Sequence, residues 1–381
     1  MTVSRRPLLR KKERIVIKIG SSLIASHEKG LNEERMAEIA AEIASLHLEG
    51  HEIFLVSSGA ILCGMEKLGL TRRPKTIPLK QAAAAVGQSR LMHSYEKFFE
   101  PFQIKVAQVL LTREDIADRK RFINARNTLR TLLEYRVLPI INENDTVTID
   151  EIKLGDNDSL AAQVTHLVDA SLLVILSDVD GLFTADPRKT ASAMRIPLVE
   201  SVTPEIERIA GKPTQAGGAG TGGMATKVQA AKSVAAYGVT TLIVNGTIPG
   251  LMKRAFQGGS IGTLFLPKPV RLPSKKHWIA HSLKTKGEIR LDPGAVEAIL
   301  KKGKSLLPSG IREVSGKFEV GDAIRCLSPE GEEIATGLTN YGASEMIQIK
   351  GVHSSQIEKI LGYKSTDEAI HRDNLVILHG T

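Results

Sequence analysis

Between Asn142 and Asp158 the chain reads NENDTVTIDEIKLGDND, with six acidic residues (Glu143, Asp145, Asp150, Glu151, Asp156, Asp158) against the single basic Lys153. The stretch follows VLPIIN, a short apolar run of the kind that forms a buried strand. Carboxylates and amides crowded just after a buried strand point to a ligand site at the carboxyl edge of a sheet. So many acids together first suggest a metal, and the plain alternative is a solvated loop.

A second chemical stretch is QAGGAGTGGMATK, residues 215–227, where five glycines fall between 217 and 223 and a helical pattern follows. Glycines let backbone N–H groups approach a phosphate closely, and a helix amino terminus favours an anion. Gly218, Gly220 and Gly223 satisfy GxGxxG, but PTQA rather than a strand precedes them and no acid follows near 238–248, so the dinucleotide reading fails. The one GKS triplet, Gly303 to Ser305, has Ala298 where a P-loop needs its first glycine.

Lys18 lies inside the apolar run RIVIKIG. A buried lysine without a partner is costly, so it either snorkels from an edge strand or serves a phosphate. Lys18 and Lys227 together suit a transferring phosphoryl group, whose chemistry needs positioning and positive charge more than covalent help. Asp158 is the acid to hold them, and GDND offers alternating side chains to the site. No Ser/His/Asp or Cys/His arrangement stands out, and His166 reads as a packing residue. The lack of a base fits a carboxylate nucleophile, which is already ionised at neutral pH.

The elements that must position these groups alternate. Apolar strands at 14–20, 51–60, 105–112, 137–142, 171–178 and 239–246 interleave with helices at 31–50, 77–99 (interrupted near Gly87), 118–135, 159–170 and 224–238. Such alternation predicts an α/β domain, a three-layer αβα sandwich around a largely parallel sheet. The composition changes at LPKPVRLPSKK, and beyond it hairpin-spaced strands predict a small, mostly β domain. The resulting division is a basic arm at 1–13, a catalytic domain at 14–266, a linker at 267–276 and a second domain at 277–381.

A chain of 381 residues exceeds what one core usually organises. Its net charge of +9 hints at nucleic acid, yet residues 275–381 hold fifteen basic and fourteen acidic residues, and the first fourteen alone carry +5 of the excess. Cys63 and Cys326 show neither zinc nor disulfide spacing. With no apolar run near the ~18 residues of a membrane span, the expectation is a cytoplasmic protein without membrane contact.

Taken in order, VIKIGSS, VSSGAI, AAVGQSRLM, LLTREDIADRKRFINARNTL, INENDTV, EIKLGDND, DGLFTADPR, GTGGMATK and GTLF resemble the glutamate 5-kinase family of the amino acid kinase superfamily. The resemblance covers nearly the whole chain. GKFEVGD (316–322), EGEEIATG (330–337) and HRDNLV (371–376) resemble the PUA domain that many members carry.

The resemblance implies ATP-dependent phosphorylation of L-glutamate to L-glutamyl 5-phosphate, the first step of proline biosynthesis. It implies Lys18 and Lys227 as the lysines on the phosphoryl group and Asp158 as the acid organising them. Ser58, Gly59, Ala60, Asp145 and Asn157 would form the glutamate site. Asp145 suits the α-ammonium, while Asn157 and turn N–H groups suit the carboxylates. Lys18, Ser177, Asp178, Thr221, Gly222, Gly223, Met224, Ala225, Thr226 and Lys227 would form the ATP site, with Mg²⁺ carried on ATP oxygens and water. Also implied are feedback inhibition by proline, a homo-oligomer (dimer or tetramer) and transient contact with glutamate-5-semialdehyde dehydrogenase.

The basic arm, the SHEKG segment at 26–30 and Thr148, Ile149 and Asp150 depart from the family pattern without removing a site residue. Two alternatives compete. A related kinase acting on N-acetylglutamate or aspartate is disfavoured for the former by Asp145, which an acetylated amine does not need. An RNA-binding protein working through the PUA-like tail is disfavoured by that tail's near-neutral charge.

Overall fold

In a computed structural model of the chain, residues 12–26, 30–72, 74–147, 156–211, 223–267 and 285–377 are described, with the backbone alone at 26, 119, 120, 156 and 373. They fall into two compact units divided at residues 270 and 271. Most of the basic arm and, apart from Pro267, the linker expected at 267–276 lie outside the described residues.

The first unit opens with β1 (Arg14–Ile19), α1 (Ser21–Ile24), the paired β2 (Ala25–Ser26) and β3 (Gly30–Leu31), α2 (Glu33–Leu48) and β4 (Glu52–Val56). It continues through α3 (Ala60–Lys67), α4 (Ile77–Phe99), β5 (Val106–Leu111), α5 (Arg113–Ala117), α6 (Arg119–Glu134) and β6 (Leu138–Glu143). Then come α7 (Asp156–Leu167), β7 (Leu172–Ser177), β8 (Leu198–Val199), α8 (Pro204–Ala210), α9 (Met224–Ala235), β9 (Thr240–Asn245), α10 (Leu251–Phe256) and β10 (Thr263–Phe265).

Eight of these strands form one sheet in the order β5-β6-β4-β1-β7-β9-β10-β8. Every neighbouring pair is parallel except β9 with β10. The inner strands are mostly apolar up to their carboxyl ends because helices cover both faces, the usual condition of a parallel sheet. Along β1, Ile15, Ile17 and Ile19 enter a core with Ile39 and Ile43 of α2, Leu91 and Phe99 of α4 and Met252 of α10. Val16 faces the opposite core, with Leu129 of α6, Leu160 and Val164 of α7 and Val228 and Val234 of α9. Strand alternation therefore sends Lys18 to the α7/α9 face.

Two sequence-based expectations change, and two short strands are added. The helix expected from 159 begins at Asp156, so Asn157 and Asp158 lie in a first helical turn rather than in alternating extended backbone. α4 runs without interruption through Gly87. Its missing side chain serves the crossing with α3: a Cβ there would lie 1.8 Å from Ala60 O, and one at Gly64 would lie 1.7 Å from Ala83 O. Finally, β8 and β10, of two and three residues, are too short for a periodicity to reveal.

The second unit has its own five-stranded sheet, built from β11 (Gly287–Leu291), β12 (Ile311–Gly316), β13 (Ala323–Leu327), β14 (Glu333–Leu338) and β15 (Leu375–Ile377) in the order β12-β11-β13-β14-β15. Ile289, Ile324, Cys326, Tyr341 and Met346 fill its core. Among the described residues, no helix is long and apolar enough to cross a membrane.

Candidate active site

The carboxyl ends of β1, β4, β6 and β7 lie side by side at the middle of the sheet, where the chain leaves β1 toward β4 on one side and leaves the neighbouring β7 toward β9 on the other. Parallel sheets bind ligands at such a switch point. Lys18 is registered with Val56 of β4 and Ile175 of β7, so β1 is an interior strand and an edge-strand snorkel does not apply. The residue is 5 % exposed, and its ammonium lies 2.8 Å from Asp158 Oδ1.

Asp158 is 0 % exposed and also carries Lys227 Nζ, 3.3 Å from its Oδ2. Thr226 Oγ1 donates to the same oxygen at 2.7 Å. Lys227, 5 % exposed, comes from the first turns of α9, whose amino terminus is preceded by Gly223. The first turns of α7 and α9 thus bring their side chains together, and both helices aim a positive dipole end at the same region.

Burial alone would raise the Asp158 carboxyl, but the Lys18 and Lys227 charges and the hydrogen bond from Thr226 outweigh it and hold the group at about 2. Burial pushes the Lys227 ammonium below the usual lysine range; Asp158 opposes this and Lys18 adds to it. Within the buried cluster itself, two ammonium groups share one carboxylate. A charge imbalance in a buried site is tolerated where an anion can enter to meet it.

The rest of the expected nucleotide set is nearby or undescribed. Ser177 ends β7, buried, with its Oγ 3.2 Å from Asp178 Oδ1, and the exposed Asp178 is close enough to raise the Lys227 pKa. Met224 and Ala225 open α9. Thr221 and Gly222 lie outside the described residues.

On the other side of β1, Ser58 and Gly59 form the turn from β4 into α3, with Gly59 at φ 97° in the left-handed region and Ala60 opening the helix. Asn157 Nδ2 reaches Ser57 O and Ser58 Oγ, both at 2.8 Å, and Asn142 Oδ1 at 3.1 Å. The Asn157 amide hydrogens are therefore engaged by the protein, although the sequence suggested a carboxylate for them. Asp145 follows β6 and lines a cleft of about 680 Å³ together with Glu143 and Gln88. Asp150 and Glu151 lie outside the described residues.

Sequence reasoning passed over Asn142, Ser57, Tyr95 and Gln88. Val56 and Ile141 are registered across β4 and β6, so Ser57 and Asn142 follow as neighbours one position beyond. Ser57 Oγ lies 2.8 Å from Tyr95 Oη, and Asn142 donates to Gln88 Oε1 at 2.8 Å. A polar residue closing each apolar run was the available signal. His166 packs its ring against Tyr237, with centroids 3.4 Å apart. Among the described residues, no group of three or more His, Cys, Asp or Glu is placed to hold a metal ion.

Residues 13–245 match the amino acid kinase family and residues 287–361 match the PUA domain. The glutamate 5-kinase of Geobacter sulfurreducens is 54% identical over 371 residues, spanning 97% of this chain and 99% of that protein. Those of Pelobacter propionicus and Geobacter metallireducens are 52% and 53% identical over 374 residues, each spanning 98% of this chain and 100% of the relative.

Proposed function

The chain belongs to the amino acid kinase family, in its glutamate 5-kinase branch, and from that membership we propose that it transfers the γ-phosphoryl group of ATP to the side-chain carboxylate of L-glutamate. The products are L-glutamyl 5-phosphate and ADP, which makes this the first step of proline biosynthesis. The observation that carries the reading is Asp158 buried between the Lys18 and Lys227 ammonium groups at the carboxyl edge of the sheet.

A glutamate carboxylate oxygen supplies the electron pair for the new O–P bond. The bond from the γ-phosphorus to the β,γ-bridging oxygen breaks, and ADP leaves with that pair. The nucleophile is already ionised, so no residue has to remove a proton. What the reaction needs is positive charge around the equatorial oxygens and the leaving phosphate. Lys18 and Lys227 supply it from opposite sides of Asp158. Asp158 touches neither reactant; it keeps the two buried ammonium groups charged and apart. Its oxygens are occupied by these lysines and Thr226, leaving it poorly suited to a metal.

Mg²⁺ would accordingly be held by ATP oxygens and water, neutralising phosphate charge when bound. Ser177, Asp178 and residues 221–227 would hold the nucleotide. Ser58, Gly59, Ala60, Asp145 and Asn157 would hold the amino acid, with Asp145 on its ammonium. Hydroxylamine traps an acyl phosphate as a hydroxamate. With ATP and Mg²⁺, hydroxamate should form from L-glutamate. Formation from N-acetylglutamate but not from glutamate would overturn this assignment.

A further inference from the structure

Beneath the amino-acid site, three side-chain amides from three elements form a directional chain. Gln88, midway along α4, accepts at Oε1 from Asn142 Nδ2 at 2.8 Å. Asn142 Oδ1 accepts from the Glu143 backbone N–H at 2.9 Å and from Asn157 Nδ2 at 3.1 Å. Asn157 Nδ2 also reaches Ser57 O and Ser58 Oγ. An amide donates only through nitrogen and accepts only through oxygen, so each link dictates the polarity of the next. With Gln88 Oε1 toward Asn142, the Asn142 oxygen must face Asn157, and the Asn157 nitrogen must face Asn142 and Ser58.

That leaves Asn157 Oδ1 turned away from the chain, buried and without a hydrogen-bond partner among the described residues. A buried acceptor with no donor is costly in a finished structure and is a feature that a ligand can complete. Glutamate in its usual ionic form has one kind of donor, its ammonium. We propose that Gln88 is a positioning residue for the amino acid: by accepting from Asn142 it holds that amide in the polarity the backbone groups favour, and so helps keep Asn157 Oδ1 turned to receive the substrate ammonium alongside Asp145. The inference rests on the reading of Asn157 as part of the glutamate site, and it replaces a carboxylate contact by an ammonium contact there.

The opposite polarity is disfavoured by two fixed groups. The Glu143 N–H is a backbone donor directed at Asn142 Oδ1, and Ser57 O is a backbone acceptor directed at Asn157 Nδ2. If Asn142 turned over, its nitrogen would meet the first, and Asn157 would lose its oxygen partner on that side. Gln88 supplies the acceptor that holds the far end, and Asn142 is almost wholly buried, so water is poorly placed to take its role.

Gln88→Met keeps the length of the side chain and removes the acceptor, whereas Gln88→Glu keeps an acceptor. In Gln88→Met the glutamate KM should rise about three- to tenfold, the effect of one net hydrogen bond. The ATP KM and kcat should stay within about twofold, because the nucleotide side and the lysines are untouched. The ratio of kcat/KM for glutamate to that for glutarate, which lacks the ammonium, should fall by a similar factor. Gln88→Glu should recover most of both losses, with thermal midpoints of the two variants matching. An unchanged glutamate KM in Gln88→Met, or equal impairment in both variants, would overturn the positioning role. Asn157→Ala separates the two layers: if it raises the glutamate KM while Gln88→Met does not, the chain alone fails. If neither does, the placement of glutamate beside Asn157 fails with it.

Discussion

Asp158→Asn is the most demanding test of the lysine pair. The substitution preserves shape and removes the one negative charge between the ammonium groups of two lysines that are each 5 % exposed. In the native protein the carboxyl is lowered from 3.8 to about 2. That difference corresponds to about 2 kcal/mol of stability gained by ionisation. The sign follows from the lowered value: the contribution is complete above about pH 4 and is lost as the pH falls from there toward about 2.

In the variant that contribution vanishes at neutral pH and the lysines face each other unscreened. For a unit of this size, about 2 kcal/mol corresponds to a fall in thermal midpoint of about 4–8 °C. The lysines also lose the group that aligns them, so kcat should fall about 10²–10³-fold, as when an electrostatic stabiliser of a transition state is removed. The pH profile adds an independent reading. Lys227 is already lowered by burial, and Asp158 is the main group raising it. Without that carboxylate its pKa falls further, so the alkaline limb of kcat should move to lower pH. ADP release at saturating ATP and glutamate, followed across pH, measures both effects. A kcat within threefold of the parent and an alkaline limb in its original place would refute the reasoning.

Lys227→Ala should lower kcat chiefly, with smaller changes in either KM, because its ammonium is needed most as charge develops on the phosphoryl group; steady-state kinetics in both substrates will show this. Asp145→Ala should raise the glutamate KM about tenfold or more while leaving the ATP KM in place, and an unchanged glutamate KM would remove the ammonium assignment. Gly87→Ala puts a Cβ 1.8 Å from Ala60 O and should cost about 1–3 kcal/mol through overpacking of the α3–α4 crossing. Because Ala60 opens the turn beside Ser58, glutamate KM should rise in that variant too. Denaturant midpoints and kinetics read the two effects separately.

Much of this site is legible in the residues because its signals are local. Apolar runs closed by polar residues mark strand ends, and the order of strands and helices gives the layered sheet. Alternation along RIVIKIG puts Lys18 on the same face as Val16 whatever the rest of the chain does. The glycine-rich run before MATK marks a helix amino terminus, which places Lys227 one turn inside it. These features depend on backbone geometry within a few residues, so sequence alone determined them.

Tertiary structure decided which of these ends meet. Nothing local tells that β1 lies between β4 and β7, and until that is known Lys18 reads equally well as an edge-strand lysine. The pairing of Asp158 with two lysines joins residues far apart in the chain through the packing of α7 and α9 on one face of β1. The early start of α7 reflects the same packing, which turns GDND from a loop into a helical turn with Asp158 inward. Gly87 looked like a helix break because glycine is a poor helix former on average. In the fold it is the residue that lets two backbones approach. The polarity of the Gln88–Asn142–Asn157 chain is decided last of all. It depends on hydrogen-bond directions that exist only once α4, β6 and α7 are in place, and no residue spacing encodes them.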